Sequence, residues 1–148
     1  MKFVIQRTTR ASVKVNGKIT GEIDKGFVVL VGISEDDDEK IADKMTDKML
    51  KLRIFEDEDG KTNLSLNDVG GELLMISQFT LYANCKRGNR PSFTSAGKPH
   101  KAEKLYEYIM ARCENQGYHV EKGLFGEDMK VELLNDGPFT IVLDSAEL

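Results

Sequence analysis

The sequence predicts a single compact α/β domain, and three patterns support that prediction. Apolar and polar side chains alternate over residues 2–15, as in a long strand with one buried face. Residues 27–33 form a continuous apolar run, which is typical of a strand covered on both faces. Residues 36–53 and 98–116 carry apolar side chains at helical spacing. We expect two strands, two βα units and two or three closing strands, in mixed sheets that form a barrel-like, layered β/β/α structure with two helices.

The composition indicates the broad class of protein. The chain has 148 residues, enough for one domain over residues 1–148 whose core needs no metal or disulfide. Two cysteines are too few for a disulfide framework, and no histidine, cysteine and acidic residues have the spacing of metal ligands. The N-terminal apolar run is too short for a signal peptide, and no segment approaches the ~18 apolar residues of a membrane helix. We therefore expect a cytoplasmic protein without cofactor, metal or membrane partner.

Turn and cap signals define the first elements. Asn16-Gly17 follows the opening strand and predicts a tight hairpin, because both residues tolerate a positive φ. A second strand is then expected near residues 18–23. Ser34, with Asp37 three residues later, resembles a capping box at the start of the helix over residues 36–53. This helix should lay its apolar stripe on a sheet.

The second half of the chain repeats the strand–helix order. Residues 56–71 are polar and glycine-rich and predict a loop, and residues 72–82 predict an apolar strand with polar residues at its end. A helix over residues 98–116 has a proline in its first turn and a glycine just after its end. Alternating residues at 129–133 and 139–144 predict closing strands.

The end of the strand 72–82 is the first candidate functional segment. Ser77, Gln78 and Thr80 gather polar groups where a buried strand ends, either to polarise a small substrate or to satisfy local backbone groups. Thr80 would need an adjacent base to act as a nucleophile, and neither histidine lies near it in sequence. The backbone amides of Gln78 and Phe79 could instead stabilise an oxyanion.

A second candidate combines a turn with a charged residue. The sequence Asn135–Thr140 contains Gly137-Pro138, which either forms an ordinary hairpin turn or, with a cis bond, holds two carbonyl groups on one side as a gate. Arg7 shares parity with apolar residues of the first strand. It is therefore either buried and paired, in which case it could hold carbonyls near Gly137-Pro138, or turned to solvent by a bulge.

A third candidate is a cationic segment in a chain of net charge −4. No acidic residue occurs between Glu72 and Glu103, while that interval contains Lys86, Arg87, Arg90, Lys98 and Lys101. With Phe93 available for base stacking, this segment predicts a local site for phosphate or RNA. The alternative is an ordinary solvated face.

Together these segments resemble the D-aminoacyl-tRNA deacylases over the whole chain. The segments that carry the resemblance are Val4–Arg7, Ser77–Leu81, Asn89–Phe93 and Asn135–Thr140. The Ser77–Leu81 and Asn135–Thr140 motifs are specific as a pair.

The resemblance implies a homodimer that hydrolyses the ester between a D-amino acid and the 3′ end of tRNA. It implies that Gly137-Pro138 is cis and acts as a chiral gate in the partner subunit, with Arg7 supporting the gate. The residues Ser77, Gln78, Phe79 and Thr80 would form the catalytic pocket floor and Met129 its wall, and tRNA would contact Lys86, Arg87, Arg90, Phe93 and Lys98. In the family, either the threonine that corresponds to Thr80 is the nucleophile or the 2′-hydroxyl of the tRNA assists, and the lack of a base near Thr80 favours the second.

Two positions depart from the family pattern, and the steric gate has a consequence for glycine. Phe139 replaces a usual valine, and Glu127 replaces a usual small residue near Met129. A gate that excludes L side chains cannot exclude glycine, so hydrolysis of glycyl-tRNA is also expected.

Two functions other than deacylation remain as alternatives. They are a β-rich RNA-binding module without catalysis and a structural interaction protein. No DNA partner is expected.

Overall fold

Eight strands and two α-helices follow one another in a computed structural model that describes residues 1–148. The strands are β1 Lys2–Val15, β2 Lys18–Ile23, β3 Gly26–Gly32, β4 Arg53–Glu56, β5 Thr62–Ser65, β6 Glu72–Ser77, β7 Val120–Lys122 and β8 Lys130–Asp144. The helices are α1 Glu39–Leu50 and α2 Pro99–Asn115, with short 3-10 helices at Phe79–Tyr82 and Ser145–Glu147. No helix has the length and apolar character needed to cross a membrane.

The main sheet is mixed and nearly closes on itself. Its strands run in the order β2-β1-β3-β6-β7, with β8 added on β1. The long β1 pairs with β3 through its first half and with β2 through its second half, while β8 runs antiparallel along its other edge. β3, β6 and β7 run parallel to one another, and β2 lies against β7. β4 and β5 form a separate two-stranded sheet. The predicted barrel-like α/β architecture with two helices is confirmed.

The continuous apolar run of β3 reflects a core on each of its faces. Phe27, Val29 and Val31 belong to the main core, to which both helices contribute buried side chains. Val28 belongs to a smaller core with residues of β1, β2 and β6. Because both faces of β3 are covered, no polar residue alternates along it.

Two predictions about the segment from β3 to β6 are wrong. The helix α1 begins at Glu39, and its N-cap is Asp38, whose carboxylate accepts a hydrogen bond from the Ile41 amide at 2.9 Å. Ser34 and Asp37 form a separate turn, in which the Ser34 amide donates to the Asp37 carboxylate at 2.7 Å. The predicted loop 56–71 contains β5, because a short hairpin partner supplies ladder bonds that polar residues can also make.

Two strand boundaries also differ from the prediction. The strand that begins at Glu72 ends at Ser77, and the chain then turns into the 3-10 helix Phe79–Tyr82, so strand alternation does not extend to Thr80. The two closing segments 129–133 and 139–144 are parts of one strand, β8, interrupted by an irregularity opposite residues 6–11 of β1. β7 is an additional strand of three residues.

Candidate active site

A cavity of about 400 Å³ lies where β6 ends, and its lining brings several predicted residues together. Ser77, Gln78 and Phe79 form one side, and Met129 stands in the wall with Phe125. The full lining is Val31, Ile33, Ile76, Ser77, Gln78, Phe79, Pro99, Ala102, Phe125, Gly126, Glu127, Asp128, Met129 and Val131. Most of the lining residues are apolar, while the strand end supplies polar groups.

The segment Ser77–Thr80, called the cavity floor below, is held in place by the end of β3. The Gln78 amide donates to the Val31 carbonyl at 2.8 Å, and the Leu81 amide donates to the Gln78 carbonyl at 3.2 Å. Gly32 lies directly beneath this turn, since a Cβ atom there would stand 2.8 Å from Leu81 Cβ and 3.3 Å from the Gln78 carbonyl oxygen. The 3-10 helix therefore rests on a position where any larger residue would displace it.

Two successive amides at the floor have no acceptor within the protein. Neither Phe79 nor Thr80 donates its backbone N–H to a backbone or side-chain oxygen. The sequence predicts free amides at Gln78 and Phe79, but the Gln78 amide is used by Val31, so that half of the prediction is wrong. Unpaired amides beside an apolar cavity are suited to bind a developing oxyanion.

The Thr80 side chain has no base beside it. Its hydroxyl oxygen accepts a hydrogen bond from the Gln78 carboxamide nitrogen, and Thr80 is not among the residues that line the cavity. At the end of the same 3-10 helix, burial raises the pKa of Tyr82 to about 12, so its hydroxyl stays protonated at neutral pH. The His119 ring contacts Glu121 at 3.1 Å instead. This geometry offers no route to an activated threonine.

The Arg7 side chain points into the protein, as one of the two sequence alternatives predicted. It is 7% exposed, and its Nε atom donates to the Asp136 carbonyl oxygen at 2.9 Å. Its Nη1 atom donates to the Ile54 carbonyl oxygen at 2.7 Å. The guanidinium also lies over the Phe139 ring, 4.7 Å from its centroid, and Phe139 packs against the core. The alternative that placed Arg7 in solvent is wrong.

The turn above Arg7 is held by local hydrogen bonds. The peptide bond between Gly137 and Pro138 is cis, as the resemblance implies. The Asn135 side chain closes the turn, because its oxygen accepts from the Phe139 amide at 2.7 Å and its nitrogen donates to the Thr140 hydroxyl at 3.0 Å. Pro138 is exposed, and no residue of the turn lines the cavity of its own chain.

The cationic segment forms a closed loop that touches the cavity floor. The amide and carbonyl groups of Asn84 and Ser92 bond to each other at 2.7 and 3.0 Å, and a concave surface inside the loop is lined by Asn84, Lys86, Arg87, Arg90 and Ser92. The Phe93 ring packs edge-on against Phe79, with 5.1 Å between centroids. Lys98 caps α2 and presents an exposed side chain. The loop, its aromatic residue and the cavity floor thus form one continuous surface.

Sequence reasoning missed several residues of these sites. Phe125 and Gly126 line the cavity, and the sequence analysis names neither as a site residue. A signal was present, because an aromatic residue between two glycines in a polar segment is unusual for a simple linker. Ile54 contributes to the Arg7 site only through its carbonyl group, and no side-chain pattern reveals a carbonyl.

Comparison with known proteins shows the family. The sequence matches the family described as D-Tyr-tRNA(Tyr) deacylase over residues 4–144. It is 58% identical over 144 residues to a D-aminoacyl-tRNA deacylase of Lactobacillus acidophilus, covering 97% of this chain and 99% of that one. It is 52% identical over 147 residues to the D-aminoacyl-tRNA deacylase of Thermus aquaticus, covering 99% and 97%.

Solved structures agree with these matches. A structure named c-Myc DNA Unwinding Element Binding Protein is 42% identical and superposes with a TM-score of 0.92, over 97% of this chain and 98% of that one. A probable eukaryotic D-amino acid tRNA deacylase is 18% identical with a TM-score of 0.79, over 96% and 97%, which supports the fold alone. The matches define the protein as a deacylase, a hydrolase of carboxylic esters. The chain belongs to the D-Tyr-tRNA(Tyr) deacylase family, so the predicted family and enzyme class are confirmed.

Proposed function

We propose that this protein hydrolyses the ester bond between a D-amino acid and the 3′ end of tRNA, and that it acts in the cytoplasm as a homodimer. Membership of the deacylase family supports the reaction. The observation that carries the chemistry is the pair of unpaired amides at Phe79 and Thr80, at the edge of a cavity whose lining contains no histidine.

These amides act on the ester carbonyl. As water adds to the carbonyl carbon, negative charge develops on the carbonyl oxygen, and the N–H groups of Phe79 and Thr80 donate to it. Breakdown of the tetrahedral intermediate breaks the bond to the ribose 3′-oxygen, which takes up a proton as it leaves. The neighbouring 2′-hydroxyl of the tRNA relays the proton from water, because Thr80 has no partner that could accept one.

Chirality is sensed by the turn at Gly137 and Pro138 of a second copy. Within one chain this turn does not reach the cavity, so a gate over the cavity must come from another protomer. The outer surface of β8 supports this arrangement, since β8 pairs only with β1 and exposes apolar residues, with Val142 63% and Leu134 46% exposed. Exposed apolar side chains on an unpaired edge strand are typical of a surface that another chain covers.

The gate discriminates by steric exclusion of L side chains. Rejecting an L-aminoacyl ester by about a thousandfold requires ~4 kcal/mol of discrimination, which a steric clash with rigid main-chain atoms can provide. Arg7 keeps the turn rigid through its bond to the Asp136 carbonyl. Glycine has no side chain to exclude, so glycyl-tRNA, including glycine attached to a non-cognate tRNA, is hydrolysed as well.

The cationic loop binds the RNA. Lys86, Arg87 and Arg90 line one concave surface without an acidic residue, which suits contact with phosphates. Phe93, 36% exposed and packed on Phe79, joins this surface to the cavity, where it can stack on a base near the ester. Lys98 extends the positive charge along the start of α2.

A deacylation assay with D-tyrosyl-, L-tyrosyl- and glycyl-tRNA tests the proposal. We expect release of D-tyrosine and glycine, and L-tyrosyl-tRNA hydrolysed about a thousandfold more slowly, the ratio that ~4 kcal/mol supports. Equal rates for the two tyrosyl esters would contradict the gate, and resistance of glycyl-tRNA would contradict a purely steric gate. RNA binding without hydrolysis of any ester would instead support the non-enzymatic RNA-binding alternative.

A further inference from the structure

The segment between β7 and the cavity wall contains a buried glycine whose lack of a side chain makes room for a pocket residue. Gly123 directly follows β7, and a Cβ atom there would lie closer than 3.0 Å to the sulfur of Met129. The backbone does not require glycine, since Gly123 is absent from the positions with positive φ. What the residue provides is space for the Met129 side chain.

We infer that Gly123 is a positioning residue that sets the width of the cavity by housing the Met129 thioether. The inference rests on the proposed function, because it concerns the space that the aminoacyl group occupies. Met129 lines the cavity, and its sulfur lies against Gly123. Any larger residue at position 123 therefore competes with Met129 for the same place.

The methionine, and not the backbone, would move if a methyl group were added. The nearest atom of any residue other than Met129 is Cγ2 of Val13, at the ordinary distance of 3.4 Å from the added Cβ, and Val13 is fully buried. Methionine has three rotatable side-chain bonds and adapts readily to crowding. Met129 also lines the cavity, so a displaced thioether has this open volume beside it, which is the proposed substrate space.

The chain offers a matched control at Gly71. A Cβ atom on Gly71 would stand 2.5 Å from Cδ1 of Leu66, again the end of a flexible side chain. Both glycines are buried, and neither has a positive φ. Leu66 is fully buried in the main core and does not line the cavity. Gly71→Ala therefore adds the same crowding without touching the pocket.

The test compares kcat/KM on D-tyrosyl-tRNA for Gly123→Ala, Met129→Ala, the double variant and Gly71→Ala. We expect Gly123→Ala to lower kcat/KM about tenfold, because small displacements in a pocket impair substrate positioning. Adding Gly123→Ala to Met129→Ala should change kcat/KM less than about twofold, since the crowded side chain is gone. Gly71→Ala should change it less than about twofold while lowering the melting temperature.

A second measurement follows the methionine directly. In protein labelled with ¹³C at the methionine methyl groups, the Met129 resonance should shift in Gly123→Ala and stay unchanged in Gly71→Ala. An equal loss of turnover with and without Met129, or a shifted resonance with unchanged turnover, would overturn the inference. Failure of the wild-type protein to hydrolyse D-tyrosyl-tRNA would instead contradict the proposed function, and the resonance would still report on the position of Met129.

Discussion

The cavity floor and the Gly137–Pro138 turn differ in what they leave unpaired. At the floor, the amides of Phe79 and Thr80 have no acceptor in the protein. At the turn, Arg7 donates to the Asp136 carbonyl at 2.9 Å, and the Asn135 side chain bonds to the Phe139 amide at 2.7 Å and to the Thr140 hydroxyl at 3.0 Å. The amides of the floor remain available as hydrogen-bond donors, whereas the hydrogen bonds at the turn stabilise the turn's own conformation.

Under the proposed function, this difference separates the residues that stabilise the transition state from those that select the D-amino acid. A surface that stabilises charge needs free donors, and a surface that rejects one enantiomer needs atoms that do not yield. The two surfaces lie apart in one chain, because no residue of the turn lines the cavity. Under the proposed function, a dimer brings the rigid turn of one protomer to the free amides of its partner. Substitutions at the two regions should therefore change different kinetic quantities.

The largest effect on activity is expected from a substitution of Gly32, which lies beneath the cavity floor. Gly32→Ala places a methyl group against Leu81 and the Gln78 carbonyl, so the 3-10 helix that carries the free amides must shift. We expect kcat to fall about a hundredfold, the cost of misplacing catalytic groups by about 1 Å. The assay is single-turnover deacylation of D-tyrosyl-tRNA, with Gly71→Ala as the control for an added core methyl group. A rate close to that of the control would show that the amides are not held through Gly32.

The next largest effect is expected at the gate. Arg7→Ala leaves the carbonyl groups of Asp136 and Ile54 without their donor, and the turn loosens. We expect the ratio of D- to L-tyrosyl-tRNA hydrolysis to fall about tenfold or more, and the free energy of unfolding to fall by about 1–3 kcal/mol, the cost of unsatisfied buried polar groups. Paired deacylation assays and urea unfolding measure these quantities. A loss of stability without any change in the ratio would show that Arg7 has only a structural role.

A smaller effect is expected from the cationic loop. Arg90→Ala removes one charge from the concave surface and should raise KM by about fivefold, while lowering the salt dependence of binding by about one unit of slope. Measurement of KM at several salt concentrations checks both. Lys18→Ala, at an exposed position of the β1–β2 hairpin, is the control that should leave KM and its salt dependence unchanged. Equal effects of Arg90→Ala and Lys18→Ala would indicate a non-specific electrostatic attraction between the RNA and the protein surface.

The smallest effect is expected at Thr80. Thr80→Val removes the hydroxyl that accepts a hydrogen bond from Gln78 but keeps the shape and the backbone amide. If the amide and not the hydroxyl does the chemistry, kcat should fall only about two- to threefold, the low range for one exposed hydrogen bond. Single-turnover deacylation provides the measurement. A loss of a thousandfold or more would make Thr80 the nucleophile and contradict the proposed mechanism.

Local patterns predicted much of the fold and part of the site. Alternation located β1, the apolar run located β3, and helical spacing located α2 within one residue at each end, since these elements bury a face whose period appears in the side chains. Alternation failed at Gln78, where the chain leaves β6 for a 3-10 helix under the control of its contact with β3. Alternation also did not determine whether Arg7 is buried or exposed, because the partners of Arg7 are the carbonyl groups of Ile54 and Asp136.

Side-chain order along the chain thus determines which strands and helices form, which motifs stand at their ends and which family the chain resembles. It does not determine which amides stay free, where the Met129 thioether lies or whether the turn at Pro138 reaches the cavity of its own chain. Those properties depend on main-chain groups and on missing side chains, such as those of Gly32 and Gly123, that meet atoms distant in sequence. Their partners are defined only when the strands pack.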